Sequence, residues 1–331
     1  MLTAGRTTAA RDQAVAPREH VLTSSPAPKE AVRIVCWGTR GSVPSPGPGT
    51  VRYGGNTSCV EIRTARRRLI FDAGTGIILA GHRLAPDVSG EPIDLFLTHF
   101  HWDHIQGLPF FTPLSDPAAT IRIHARPSRG NKIRDLLALQ MGKPFFPVTL
   151  QEMPARVEYH DLGRRGWADG NLTVTPFPVR HPDHTCGFRI TAGGTTVVYV
   201  PDNEPECATY PRTSWEELVE FARGADLLLH DATFTTAEYD RRRGWGHGTP
   251  EQAVRLAQAA NVGRLLMFHH HPERTDEQID AIVEVVQNQS RAAGSSLDVA
   301  AAVEGREIVV PVPAAKLCER EPLTPEPERI R

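Results

Sequence analysis

The sequence lacks any apolar run near the ~20 residues that a membrane-spanning helix needs. Its first residues, Thr3 to Thr8, are small or polar where a secretion signal would carry an apolar centre. No membrane partner is expected, and we read the chain as cytoplasmic. Cysteine is scarce: Cys36, Cys59, Cys186, Cys207 and Cys318 are an odd number, widely scattered, with no C-x-x-C pair. Neither a disulfide framework nor a cysteine-ligated zinc site fits that spacing. An excess of one charge is also missing. Lys and Arg number 37 against 39 Asp and Glu, so no overall basic field marks a nucleic-acid binder, and any polyanion must be met by a local patch.

What is present is an ordinary globular composition, 40% hydrophobic and 23% charged over 331 residues, which excludes fibrous and wholly disordered classes. Residues 1–30 carry Ala, Thr, Ser, Pro and mixed charge without apolar periodicity and read as a disordered leader. Residues 312–331, where Pro313, Pro322, Pro325 and Pro327 lie among charges, read as a disordered tail. Between them, residues 31–311 contain neither a Gly/Ser linker nor a repeat, and we expect one domain.

Short runs rich in Val, Ile and Phe predict strands at Val32–Trp37, Ser58–Ile62, Leu69–Phe71, Ile93–Leu97, Ile121–His124, Leu172–Val179, Thr196–Val200, Asp226–Leu229 and Arg264–Phe268. Helical patterns lie at Gly76–Leu84, Asn131–Met141, Ser214–Ala222, Pro250–Ala260 and Asp276–Gln289. Ser214 before Trp215-Glu216-Glu217, and Thr249 before Pro250, are helix-start signals. Strands first, then strands interleaved with helices, imply an α/β fold of two packed sheets flanked by helices.

One segment dominates the chemistry: His99-Phe100-His101-Trp102-Asp103-His104, directly after the strand Ile93–Leu97. Imidazoles at i and i+2 of an extended turn can serve one metal, while Asp103 and His104 turn toward a second. The further ligands this requires share an address, because His181, Asp202 and His269 each follow a predicted strand. His99, His101 and His181 would hold one divalent metal ion and Asp103, His104 and His269 the other, with the two oxygens of Asp202 bridging the pair. Nitrogen and oxygen donors without thiolate fit zinc, and manganese or iron can use the same set. His184, His270 and His271 are expected at the surface or packed beside the ligands. Asp72 either hydrogen-bonds a ligand imidazole or is a turn aspartate.

At this point the sequence resembles the metallo-β-lactamase-fold hydrolases. More narrowly it resembles their phosphodiesterase branch, which includes ribonuclease Z and the cyclic-phosphate phosphodiesterase of phosphonate breakdown. The likeness rests on Gly38-Thr39-Arg40-Gly41-Ser42, Phe71-Asp72-Ala73-Gly74, the histidine loop, His181 with Gly187-Phe188-Arg189-Ile190, Asp202, and Phe268-His269. It implies a four-layer αββα metallo-β-lactamase sandwich. His230-Asp231-Ala232-Thr233 looks like the branch's His-Glu-Ala-Thr motif with Asp for Glu, and Gly246-His247-Gly248-Thr249 looks like its His-Ser-Thr loop with Gly for Ser. The resemblance implies that His247 is the proton donor at the leaving oxygen and Asp231 its carboxylate partner, with Asp103 both a ligand and part of the catalytic machinery. The Gly/Pro-rich basic arm by which ribonuclease Z grips transfer RNA has no counterpart before His181.

The expected activity is therefore a binuclear metal-dependent phosphodiesterase, which cleaves small or cyclic phosphoesters through a metal-bridging hydroxide with His247 as general acid. Structured RNA ranks below small phosphoesters. A ribonuclease Z-like RNA endonuclease is the nearest alternative. A lactone or thioester hydrolase would use the same metals without needing His247 and Asp231, and a sensor that has lost turnover is a non-enzymatic alternative. Arg241-Arg242-Arg243 either binds phosphate or caps a solvated helix end. Gly142-Lys143-Pro144-Phe145-Phe146-Pro147 walls the site, packs into the core, or meets a second subunit in a homodimer.

Overall fold

Apolar runs that are buried on both faces form strands, and the computed structural model describes them within residues 31–64, 67–84, 90–127, 130–207, 209 and 213–310. The leader expected over 1–30, the tail expected over 312–331, and Cys318 lie outside the described residues. The first strands are β1 (Val32–Gly38), β2 (Cys59–Arg63), β3 (Arg68–Phe71), β4 (Ile93–Phe96), β5 (Thr120–Ala125), β6 (Arg156–Asp161) and β7 (Trp167–Asp169). The later ones are β8 (Leu172–Pro178), β9 (Cys186–Ala192), β10 (Thr195–Val200), β11 (Leu227–Asp231), β12 (Arg264–Phe268), β13 (Asp298–Ala301) and β14 (Glu307–Val310). They form two seven-stranded sheets, ordered β14-β1-β2-β3-β4-β5-β6 and β13-β12-β11-β10-β9-β8-β7.

Each sheet is part antiparallel and part parallel. In the first, β3, β4, β5 and β6 run parallel; in the second, β10, β11, β12 and β13 do. Side chains alternate between two cores. Phe71 and Phe96 point between the sheets, where Phe71 stacks on Phe96 at 5.2 Å and meets Phe188 at 5.5 Å. Ile70 and Leu95 point outward onto helices α1 (Gly76–Leu84) and α3 (Ile133–Gln140); α2 is the single turn Trp102–Ile105. On the other sheet, Val198, Leu228 and Leu265 pack under α4 (Trp215–Ala222), α6 (Pro250–Ala259) and α7 (Asp276–Ala292), with the short α5 (Thr236–Tyr239) beside them. Helix, sheet, sheet, helix is the four-layer αββα sandwich expected.

The start signals work as anticipated. Ser214 accepts from the Glu217 N–H and Thr249 from the Gln252 N–H, both in reciprocal capping boxes. Five strands escaped the sequence reading: β6, β7, β9, β13 and β14. β6 shows why, since it reads Arg-Val-Glu-Tyr-His-Asp and lies at a sheet edge, where charges are tolerated and Glu158 pairs with Arg122 of β5. No apolar run is needed there. Among the described residues no helix is long and apolar enough to cross a membrane, and Cys36, Cys59, Cys186 and Cys207 are free and buried.

Because Phe188 fills the space between the sheets with no exposure, Phe188→Ala should lower unfolding free energy by about 3 to 5 kcal/mol in urea titration. Val309→Ala, at a position 40% exposed, should change it by under about 0.5 kcal/mol.

Candidate metal centre

The directions of the strands bring their carboxyl ends to one edge of the sandwich, where open α/β sheets place their ligands. Asp72 follows β3, the histidine loop follows β4, Asp202 follows β10, Asp231 ends β11 and His269 follows β12. After β4 the chain stays extended through His101 (φ -64°, ψ 152°), then α2 turns Asp103 and His104 inward. Two glycines permit the closeness. A Cβ on Gly41 would lie 2.2 Å from the His269 ring, and one on Gly246 would lie 2.4 Å from His181 Nδ1.

The seven predicted ligands come together in two groups, His99–His101–His181 and Asp103–His104–Asp202–His269, each with donor atoms within 4.8 Å of one another. Asp202 stands between them. Its Oδ2 faces His181 Nε2 at 3.6 Å and His99 Nε2 at 3.9 Å, while its Oδ1 faces His104 Nε2 at 3.0 Å and His269 Nε2 at 3.4 Å. Asp103 Oδ2 lies 3.1 Å from His269 Nε2 and 3.5 Å from His104 Nε2. His99 Nε2, His104 Nε2 and Asp202 Oδ1 are buried, yet none has an aligned hydrogen bond. Each such orphan costs about 1 to 3 kcal/mol if nothing else meets it. Converging, unsaturated imidazole and carboxylate atoms without thiolate fit divalent cations.

Each imidazole is held at its other nitrogen by a protein oxygen. His104 Nδ1 donates to Asp72 at 2.9 Å, and Asp72 also accepts from the Thr98 N–H, the Thr98 hydroxyl and, across the sandwich, the Tyr199 hydroxyl. With its proton on Asp72, the Thr98 oxygen accepts from His99 Nδ1 at 3.0 Å. His181 Nδ1 donates to the Gly246 carbonyl at 2.8 Å. Thr233, whose hydroxyl donates to Asp231, accepts from His269 Nδ1 at 3.1 Å. His101 is reversed: its Nε2 meets Asp183 at 3.2 Å, so Nδ1 faces inward, 3.2 Å from His181 Nε2.

His247 stands beside both groups, its ring 4.8 Å from that of His269 and 5.0 Å from that of His181. Its side chain keeps 13% exposure where those of His99, His104 and His269 have none, and its Nδ1 meets Asp231 Oδ2 at 2.7 Å. The shorter Asp side chain therefore reaches. Asp231 is fixed in turn by N–H groups of Asn203 and Thr233. Glu204, fully buried, accepts from the Tyr239 hydroxyl and the N–H groups of Gly244 and Gly246, which ties down the loop ahead of His247.

These contacts set the charges. Burial lowers His99 well below the ordinary histidine value, and the neighbouring imidazoles push the same way. Burial alone would raise Asp103 and Asp202, but His104 and His269 hold both carboxylates well below their usual range. For His247, burial favours the neutral ring; the charge of Asp231 and its hydrogen bond outweigh that and lift it to about 9.

The spare histidines resolve as expected. His184 is exposed, His270 is buried on the Ala302 carbonyl, and His271 is half-buried. Asp72, left open in the sequence, is an imidazole partner. Sequence reasoning missed Asp183, Tyr199 and Glu204, none of which carries a local signal; Thr233 stands in the His230-Asp231-Ala232-Thr233 motif, which gave it no role of its own. It also left Phe145-Phe146 open: Phe146 packs half-buried beneath the first sheet and edge-on to Phe110, while Phe145 is 82% exposed.

Comparison with known proteins supplies the family. A model described as "Beta-lactamase superfamily domain" matches residues 67–270. The ribonuclease Z of Natronomonas pharaonis is 28% identical over 287 residues, covering 72% of this chain and 87% of the relative. Among solved structures, the metallo-beta-lactamase fold protein YhfI from Bacillus subtilis superposes with TM-score 0.62 at 19% identity, covering 85% of this chain and all of YhfI. A diphosphatase from the PhnP family superposes with TM-score 0.57 at 17% identity, covering 85% of this chain and 98% of its own.

Elemental analysis of the zinc- or manganese-saturated chain should find two divalent cations. Asp202→Ala should lower that content markedly, since both groups lose a shared oxygen, and Asp72→Asn should weaken metal affinity about 10- to 100-fold by loosening His104. Full occupancy in Asp202→Ala would assign the bridge to another carboxylate.

Proposed function

The chain belongs to the beta-lactamase superfamily, and from that premise we propose that it is a binuclear metal-dependent phosphodiesterase acting on small or cyclic phosphoesters. The observation that carries the reading is the Asp231–His247 pair, set 2.7 Å apart beside the two donor groups. Phosphodiester cleavage that expels an alkoxide needs a proton at the leaving oxygen, whereas a thioester hydrolase expels a thiolate, which departs without one.

In this reading His99, His101 and His181 would hold one divalent cation and Asp103, His104 and His269 the other, with Asp202 available to both; zinc would suit the donors, as would manganese and iron. Two such cations, when bound, acidify a water, neutralise phosphoryl charge and hold the attacking and leaving oxygens in line. The chain's own contribution is orientation and a proton. Asp231 engages Nδ1, so the proton to be delivered sits on Nε2, and the carboxylate keeps the ring in its charged form before the transfer. Glu204 and the glycines on either side of His247 fix the loop that presents it.

The name of the Natronomonas relative favours a second reading, an RNA endonuclease. Against it, the sequence between His104 and His181 carries no Gly/Pro-rich basic arm, and the residues described there form β5 to β8 with α3. The exposed Leu139 and Phe145 on and beside α3 offer an apolar face that a second copy of the chain would cover, the basis for reading the protein as a homodimer.

His247→Ala should keep both metals and the fold while turnover on alkyl phosphodiesters falls about 10²- to 10⁴-fold. Loss on p-nitrophenyl esters should be much smaller, because p-nitrophenolate leaves without a proton. An acid must be protonated, so wild-type activity on alkyl esters should decline as pH rises, with a limb at or below about 9; cations at Asp103 and Asp202 cancel part of those carboxylates' upward pull. That limb should vanish in His247→Ala. Metal loss, or equal loss on both substrates, would make His247 a ligand or a structural residue.

Small phosphodiesters should be turned over faster than transfer-RNA precursors, since grip on RNA scales with the phosphates neutralised. Efficient, salt-sensitive trimming of a precursor by the pure protein would reverse the order of the two readings.

A further inference from the structure

The run Arg241-Arg242-Arg243 precedes His247, and the three arginines differ in surroundings. Arg243 pairs with Asp240 at 3.1 Å and lies over the Tyr239 ring at 4.7 Å. Arg241 is exposed. Arg242 is half-buried, its guanidinium carbon 5.1 Å from the centre of the Phe234 ring and 5.9 Å from that of Trp245. Phe234 is itself edge-on to His247 at 5.8 Å, so one ring separates the guanidinium from the proton donor. A turn from the Trp245 N–H to the Arg242 carbonyl, 3.1 Å, locks the arginine to the loop that continues through Gly246 into His247.

Among the described residues no carboxylate lies within ion-pair distance of Arg242. The acids near it are engaged elsewhere: Glu238 with Arg274 at 2.5 Å and Asp240 with Arg243. The hydrogen bond that the Arg242 guanidinium makes runs to the Glu238 carbonyl at 3.5 Å, the long limit of such contacts. A half-buried guanidinium has lost part of its hydration without gaining an anion. Stacking on aromatic faces restrains the fork while leaving its N–H groups available, the arrangement that suits bidentate capture of phosphate.

Position decides which anion. In the phosphodiesterase reading His247 marks the side of the leaving oxygen, and Phe234, edge-on to His247, carries Arg242 on that side, so a leaving group that follows the Phe234 ring reaches the guanidinium. We propose that Arg242, seated on Phe234 and Trp245, binds a second phosphate carried by the leaving group, so that the preferred substrates are phosphodiesters whose leaving alcohol is itself phosphorylated. This rests on the phosphodiesterase reading for its direction. It adds a recognition site on the leaving-group side of the metal centre.

The test uses zinc-loaded protein and calorimetry with alkylene diphosphonates of increasing linker length, each against the matching alkylphosphonate. At the best linker the diphosphonate should bind about tenfold or more tightly than the monophosphonate, the scale of one charged hydrogen-bonded contact. Arg242→Ala should bring that ratio close to one, and Arg242→Lys, which keeps charge without fork or stacking, should leave an intermediate ratio. Trp245→Ala removes the exposed half of the seat and should reduce the ratio independently. Equal affinities at every linker in the wild type, or an undiminished ratio in both Arg242→Ala and Trp245→Ala, overturns the proposal and makes Arg242 a packing residue of the loop. Turnover of bis(p-nitrophenyl) phosphate is scored separately: its absence counts against the phosphodiesterase reading, whereas turnover without a diphosphonate preference refutes only the role of Arg242.

Discussion

Five imidazoles share one constraint: a protein oxygen occupies one ring nitrogen of each, so the other must face the site. Asp72, Thr98, Gly246 and Thr233 hold Nδ1 of His104, His99, His181 and His269, and Asp183 holds Nε2 of His101. That rule fixes tautomer and orientation together. It also explains why buried donor atoms remain unpaired, a cost of about 1 to 3 kcal/mol each that a cation would remove. The strands, glycines and caps around the site serve to keep these oxygens where they are.

The centre is built from both halves of the sandwich. The first sheet supplies Asp72 and the histidine loop; the second supplies His181, Asp202, Asp231 and His269. Tyr199 of β10 crosses between them, donating to Asp72 and meeting Phe71 and Phe268 at 6.0 and 5.5 Å. The aromatic core and the site thus share this residue. Strain collects at the same edge. Ser42, Asp72 and His269 adopt left-handed backbone, φ 62°, 61° and 58°, at about 1 to 3 kcal/mol each, tolerated where surrounding contacts over-determine them.

Charge is divided along the edge. Asp202 spreads its two oxygens over the two donor groups, while Asp231, one strand away, serves a single imidazole with access to solvent. The same residue type thus has two electrostatic tasks. Asp202 sits among imidazoles whose nitrogens point at it, whereas Asp231 meets a proton-bearing nitrogen and three N–H groups, from Asn203, Thr233 and Gly248. Ahead of His247 the loop carries Arg242 on its aromatic seat of Phe234 and Trp245, which sets a guanidinium one ring away from the imidazole.

The sequence by itself determined the donor types and their addresses. Val/Ile/Phe runs long enough to be buried strands are a local signal, and a His or Asp just after such a run lies at a strand end whatever the topology; all seven predicted ligands are found there. It also determined the helix starts at Ser214 and Thr249, because capping is local. The sequence reading chose His269 over His270 and His271; the tertiary structure supplies the reason, since a left-handed turn at His269 aims its ring at Asp103 and buries the next on Ala302. Only the tertiary structure paired Asp72 with His104, Asp183 with His101 and Glu204 with the 244–246 loop, and seated Arg242 on Phe234. Those partners lie from 8 to 82 residues apart in the sequence and meet through sheet register and loop packing, to which no stretch of sequence alone holds the key.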